Sequence, residues 1–240
     1  MQPRVAVLID LAFFVHQYRS QGRGGDAAAQ ATALHQGALR TQGSAKGQGR
    51  GQEARHELYR ALCYDARPLT AVAENPVTGR TLDLGDTEVA RFRSALHDEL
   101  RRKRKVALRL GSLAPANPQW QMRPQATRDL IEGRRTAATL SEDDVSLDAR
   151  QRGVELRLGM DIAALAFKSL VDRIVLVTGD PDVVPAAKLA RREGIDVVLD
   201  PMGGPVSPEM AEHVDGVQGF MLAPGPARAE RDDEPLPADA

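Results

Sequence analysis

Ile174-Val-Leu-Val-Thr-Gly-Asp-Pro-Asp182 decides the fold. Its first four residues have the length and branched apolar character of a strand buried on both faces. The strand ends abruptly in a glycine set between a threonine and two aspartates. Beyond it, Val183–Glu193 carries apolar residues at helical spacing and closes on Gly194, a helix stop. Ile195-Asp-Val-Val-Leu199 then returns to a strand pattern. Upstream, Ile162–Lys168 reads as a helix opened by Asp161, since Ile162, Leu165 and Ala166 share one face. Strands separated by helices imply right-handed crossovers and a parallel sheet.

The same alternation holds further out. Val5-Ala-Val-Leu-Ile9 is another doubly buried strand, and Leu58–Tyr64 and Val106–Leu110 are weaker ones. Before Val106, residues Val89, Phe92, Leu96 and Leu100 form a helical stripe behind an N-cap at Asp86 or Thr87. The expected architecture is a three-layer α/β domain with a parallel sheet of about five strands. Phe13, Phe14, Phe92 and Phe167 are most simply core. Three stretches fall outside this pattern. Residues 20–55 are dominated by Gly, Gln, Ala and Arg; a short helix around Ala27–Leu39 is open, but the flanks, notably Gly22–Gly25 and Gly43–Gly51, read as a flexible insert. Gly111–Asp144 carries Pro115, Pro118 and Pro124 around Trp120 and reads as poorly structured. Residues 223–240, with two arginines against five acids, read as a disordered acidic tail.

Composition narrows the function. Among 240 residues, 32 basic side chains face 33 acidic ones, a net charge of −1 that excludes a globally basic nucleic-acid coat. One cysteine excludes an intrachain disulfide framework and suits a reducing compartment. The first apolar run is far shorter than the roughly 18 residues of a membrane span, and without a charged n-region leading into a long apolar run no secretory signal is expected. A cytoplasmic protein without membrane attachment is expected; the assembly state, a homodimer included, is left open.

Ligands of open parallel sheets bind beyond the carboxyl ends of the strands. This sequence puts acids there: Asp10 after the first strand, Asp180 and Asp182 after Ile174–Val177, and Asp161 within reach of the same edge by crossover geometry. Singly, each has an ordinary role open to it, a helix N-cap or a turn, worth about 1 kcal/mol as a cap. Together they repel: two charges about 4 Å apart cost roughly 4 kcal/mol at an effective dielectric near 20. A cation among them would relieve that cost. All-oxygen ligation suits Mg²⁺ or Mn²⁺ rather than zinc, since only His16 lies near these acids in sequence and Cys63 sits in another strand. Metal-assisted phosphodiester hydrolysis fits such a site. A polyanionic substrate also needs cations, and Arg101-Arg102-Lys103-Arg104-Lys105, followed by Arg109, is the dense candidate for phosphate contact. The same run at a helix C-terminus also complements the helix dipole. Tyr64-Asp65 reads either as a turn or as a further carboxylate and stacking surface, and Trp120 either as an anchor or as a stacking platform. Lys168 reads equally as a phosphate contact or a helix-end charge. No phosphate loop, dinucleotide turn or nucleophile elbow is present. Ala12 stands where an aspartyl-phosphate phosphatase would carry its second acid.

In this order, Val5-Ala-Val-Leu-Ile-Asp10, Gln151-Arg-Gly-Val-Glu-Leu-Arg-Leu-Gly-Met-Asp-Ile162 and Val175-Leu-Val-Thr-Gly-Asp-Pro-Asp182 resemble the NYN domain. The LabA-like branch of the PIN-like nuclease superfamily is the nearest pattern. Val184–Ile195, Leu199-Asp-Pro-Met202, Tyr64-Asp-Ala-Arg-Pro68 and Ala90–Leu96 extend the resemblance over most of residues 4–220. It implies a PIN-like α/β/α sandwich over residues 1–222, interrupted by the Gly-rich insert, and divalent-metal-dependent RNA cleavage. By motif position Asp10, Asp161, Asp180 and Asp182 match the family's acidic metal-site residues. Four positions depart from the pattern. Leu11-Ala12-Phe13 stands where many relatives carry Gly, Asn or Ser, and Glu155 where an aspartate is common. Arg152 replaces a frequent lysine, and Pro181 a common serine. The leading expectation is an Mg²⁺- or Mn²⁺-dependent endoribonuclease. The departures keep a second reading, a catalytically inactive RNA-binding or regulatory module, and shared phosphate chemistry keeps DNA as a third.

Overall fold

A computed structural model describes residues 2–42 and 55–222. The flexible loop expected over Gly43–Gly51 and the acidic tail expected beyond residue 222 lie outside the described residues. The chain forms a three-layer α/β/α sandwich around a seven-stranded sheet of order β6-β5-β2-β1-β7-β8-β9. Six strands are parallel: β1 (Arg4–Asp10), β2 (Glu57–Ala66), β5 (Val106–Met122), β7 (Arg173–Val177), β8 (Asp196–Leu199) and β9 (Gly216–Val217). The seventh, β6 (Val145–Arg152), runs antiparallel to the far half of β5. Strands β3 (Val72–Glu74) and β4 (Thr81–Asp83) form a separate hairpin.

Strand β1 sits at the centre, which is why it alternates between two apolar layers. Val5, Val7 and Ile9 join one core with α1 (Leu11–Ser20), α2 (Ala27–Arg40) and α3 (Glu88–Arg101). Ala6 and Leu8 face the other core, built with α5 (Val154–Phe167), α6 (Val184–Arg192) and α7 (Pro208–Glu212). Thr87 caps α3, its hydroxyl accepting from the Ala90 N–H, and Gly194 leaves α6 with φ +84°. No helix among the described residues is long and apolar enough to cross a membrane.

The helix left open around Ala27–Leu39 forms as α2, which buries Ala27, Ala31, Leu34 and Ala38 against the sheet; small residues at helical spacing let its backbone come close. Three sequence expectations need correction. Gly111–Asp144 is ordered: β5 continues through Met122, and α4 (Pro124–Ile131) begins on Pro124, where a missing N–H costs nothing. Asp161 does not open its helix, which starts seven residues earlier behind Gly153 in the left-handed conformation (φ 73°). Phe167 is 64% exposed rather than core, because it stands five residues beyond buried Ile162 and so about 140° around α5.

The segment after β9 returns to α2. At Gly37 an added Cβ would stand 2.9 Å from both the Cα and the Sδ of Met221. Alanine gains about 1 kcal/mol of helix propensity over glycine, but backbone at that distance cannot yield as a flexible side chain would, and overpacking costs about 1–3 kcal/mol. Gly37→Ala is therefore expected to destabilise the protein by about 1–2 kcal/mol in chemical denaturation; a gain in stability would show that this contact is loose.

Candidate active site at the sheet edge

Strand β1 is flanked by β2 and β7, and the chain leaves it in opposite directions: the connection through α1 and α2 reaches β2, whereas β7 is approached from α5. The carboxyl ends of β1 and β7 thus border a topological switch point, where helices on opposite faces leave a crevice.

Asp10 is the last residue of β1 and the N-cap of α1. Its Oδ1 accepts the backbone N–H groups of Ala12 (2.9 Å) and Phe13 (3.1 Å), while Oδ2 accepts no bond from a described residue. Burial pushes its carboxyl above the ordinary aspartate range. The two backbone N–H groups oppose that shift, the nearby Asp65 charge adds to it and Arg93 offsets it. Across the crevice, Asp180 donates its N–H to the Thr178 hydroxyl (3.1 Å) and accepts the Asp182 N–H on Oδ1 (2.9 Å), capping a 3-10 turn over Pro181–Val183. Two of the sequence departures find local reasons here. Pro181 occupies the first position of that turn, where the lost N–H would be unpaired anyway. Phe13 lays its ring against the Gly179 backbone, so that a Cβ there would come within 2.7 Å of Phe13 Cε2.

Asp10, Asp180 and Asp182 line one pocket of about 40 Å³, with Thr178 beside them and Val154, Leu158 and Ala186 as walls. Glu155 joins them from the first turn of α5. It is not among the expected site residues; its only sequence signal is its place where NYN relatives commonly carry aspartate. No lysine or arginine lines this pocket among the described residues.

Asp161 is held elsewhere. Seven residues into α5, it lies about 10 Å down the helix axis from Val154. There its Oδ2 accepts from the Tyr64 hydroxyl (2.8 Å) and from Arg109 Nε (2.9 Å). Burial, and then the Asp161 charge beside it, push the Tyr64 phenol upward, so it stays a neutral donor. Asp161 thus meets a guanidinium, and Tyr64, paired across the sheet with Asp10, is its buried second partner.

The next residue, Asp65, points to the opposite layer. It is 2% exposed; Oδ2 accepts from Arg93 Nη1 (2.7 Å) and His97 Nε2 (2.8 Å), and Oδ1 from the Ala66 N–H (2.9 Å). Burial raises its carboxyl, but the His97 hydrogen bond and the Arg93 charge outweigh that and hold it below the usual range. Tyr64-Asp65 is therefore neither a turn nor a free carboxylate but two buried polar anchors, one in each layer.

The basic run does not lie beside the acids. Arg101 ends α3 and Lys105 precedes β5, which places Arg101, Arg102, Lys103, Arg104 and Lys105 at the opposite, amino-terminal edge of the parallel strands. Four of the five have partners there: Arg101 with Asp98, Arg102 with Glu99, Lys103 with the Thr32 hydroxyl and Lys105 with Glu57. A helix crossing back over the sheet must end at that edge, so the run fits its helix-end role. Among the cations near the acid-bearing edge, Arg93 and Arg109 are each already engaged with one carboxylate.

No family model matches this chain. Nor does any curated protein. Among solved structures it is similar to a protein of unknown function, VPA0982 from Vibrio parahaemolyticus RIMD 2210633, at 16% identity and a TM-score of 0.42, covering 91% of this chain and 93% of that one.

The donor set can be tested against a divalent cation directly. Among the described residues no three acidic, histidine or cysteine side chains stand close enough together to hold one ion. A closed protein cage, or a four-aspartate site including Asp161, does not fit these side-chain positions. Mg²⁺, however, is commonly held by one or two carboxylates and keeps several waters. Asp10 Oδ2 and the second oxygen of Asp180 carry no bond from described residues, and the space between exceeds what one water needs. That more open arrangement fits.

Proposed function

We propose that the chain is a divalent-metal-dependent phosphodiesterase acting on RNA, with Asp10 and Asp180 as the residues that would hold Mg²⁺ or Mn²⁺ and Asp182 and Glu155 at the rim. One observation carries the reading: four acids from three separate segments share one pocket at the switch point, with no basic partner among the described residues there, and one of them is costly to ionise. Bound between them, the cation would polarise a phosphoryl oxygen and lower the pKa of a coordinated water. The chain's own residues do the rest. Asp10 is kept rigid by its two backbone bonds, Asp182 is exposed and able to take a proton from the attacking water, and Val154, Leu158 and Ala186 restrict bulk solvent. Arg109, rather than the Arg101–Lys105 run, is the side chain suited to meet a flanking phosphate.

The test is cleavage of labelled single-stranded and hairpin RNAs by the purified full chain with Mn²⁺, Mg²⁺ or EDTA. Cleavage is expected only with metal, and Asp180→Asn, which retains the oxygen that caps the 3-10 turn, is expected to slow it by about tenfold or more. Cleavage that survives EDTA, or that the substitution leaves unchanged, would defeat the proposal. A second reading, an RNA-binding module without turnover, draws on the pairing of Asp161 with Arg109 and Tyr64. Calorimetric binding of Mn²⁺ with no cleavage of any RNA would favour it, and competition by matched DNA would report whether the sugar matters.

A further inference from the structure

A second space near the acid-bearing edge, larger than the acidic pocket, lies in the other layer. It has a volume of about 230 Å³ and opens between the start of α3, the loop after β2 and the β5–β6 ribbon. Leu69, Leu84, Leu113 and Leu147 give it apolar walls, Val89 stands at its rim 69% exposed, and Asp65, Thr87 and Arg93 supply its polar side chains. Asp65 uses only one guanidinium nitrogen, Nη1; Nε and Nη2 of Arg93 donate to no described residue. A mostly apolar space with unspent guanidinium donors suits a heteroaromatic ring carrying acceptors on its edge.

Its position says which ring. Asp10 pairs with Tyr64 across neighbouring parallel strands, so the Asp65–Ala66 lining begins one residue further on and one strand over, about 5 Å away laterally. The Asp65 and Arg93 charges already act on the Asp10 carboxyl. A nucleic-acid strand crossing the sheet edge from the acidic pocket would arrive here next, in the opposite layer. We propose that this pocket is a nucleobase subsite, taking the base of a nucleotide adjacent to the phosphate at Asp10, with its faces between the leucines and its carbonyl or ring-nitrogen acceptors toward Arg93. The assignment rests on the phosphodiesterase reading for its neighbour, but base binding here needs neither metal nor turnover.

The experiment therefore runs in EDTA. The full chain is titrated with the four 5′-ribonucleoside monophosphates and with ribose 5-phosphate, and binding is followed by NMR shifts of residues around Leu113 and Leu147. Saturable binding of at least one mononucleotide, much tighter than ribose 5-phosphate, is expected. Val89→Trp, at an exposed rim position that the fold does not need, should weaken it by about fivefold or more. Arg93→Gln, checked for folding by thermal melting, should weaken it by about tenfold, the usual effect of losing a hydrogen bond to a charged group. Ribose 5-phosphate binding as well as the nucleotides, no binding by any of them, or binding indifferent to Val89→Trp would each overturn the subsite. RNA cleavage without base binding would separate the two proposals in one direction, and base binding without cleavage in the other.

Discussion

Asp10→Asn loses at least about 100-fold in kcat/KM for RNA cleavage, about 2.7 kcal/mol of transition-state stabilisation, while the folded protein becomes no less stable and at neutral pH more so. The two halves of this expectation have one cause. Asparagine keeps the Oδ1 acceptor that takes the Ala12 and Phe13 N–H groups, so the α1 cap survives. What it removes is a negative charge whose ionisation burial makes costly. The pH dependence follows from the sign of that shift. The folded-state pKa of Asp10 lies above its unfolded value, so between the two the folded chain binds more protons. Stability therefore falls as pH rises from the unfolded value near 4 through the folded one, and the full penalty persists above it. The asparagine variant lacks this slope. Denaturation at several pH values should thus show the variant's advantage growing from about zero in acid to a plateau at neutral pH. A variant clearly less stable at pH 7 would mean that Asp10 is a structural cap first, and undiminished cleavage would remove it from the chemistry.

Legibility in the sequence divides along a physical line. Val5–Ile9 and Ile174–Val177 are readable because a doubly buried parallel strand needs an unbroken apolar run, and nothing else in a chain of this composition demands one. The three-layer class follows from their alternation with helices, and so does the meeting of Asp10 with Asp180 and Asp182, since Asp10 ends one strand and the other two follow the exit of its neighbour. Asp161 is less legible. Gly159 and Met160 break the local apolar pattern, hiding the fact that α5 already runs from Val154; a shift of two turns along a helix moves a side chain about 10 Å and changes its partners. Its partners, Tyr64 and Arg109, come from two different strands, and no periodicity connects 64, 109 and 161. The basic run misleads for a related reason: charge density is visible in sequence, but the edge of the sheet at which it emerges depends on the helix's direction across the layer. Glu155 shows the converse, a residue noticeable only as a departure that stands in the pocket.

The other large effect lies far from the pocket, at Asp200. Asp200→Ala is expected to cost about 3–5 kcal/mol, lowering the melting temperature by roughly 6–20 °C. The carboxylate is fully buried at the end of β8. Its Oδ1 accepts the Met202 N–H (2.8 Å), and its Oδ2 accepts those of Phe220 and Met221 (2.7 Å each). From the other side Arg40 donates to the carbonyls of the same two residues, through Nε to Phe220 (2.7 Å) and Nη2 to Met221 (2.8 Å). Residues 220 and 221 are thus gripped by their N–H groups and their C=O groups at once, which fixes the segment that covers α2 at Gly37. Burial raises the Asp200 carboxyl, and the three N–H groups and the Arg40 charge counter that without cancelling it. Alanine would remove the acceptor while leaving three backbone donors without protein partners, and each orphaned buried donor costs about 1–3 kcal/mol. An asparagine side chain would not restore the wild type, since one of its two terminal positions is a donor facing donors; Asp200→Asn should fall between alanine and the native residue. The readout that separates this grip from a general loss of packing is local: amide exchange at 220 and 221 should accelerate far more than at Val7 or Val175 in the central strands, which open only with the whole fold. A loss below about 1 kcal/mol, or exchange that rises equally everywhere, would mean that the segment is held by Phe220 and Met221 packing and not by the carboxylate.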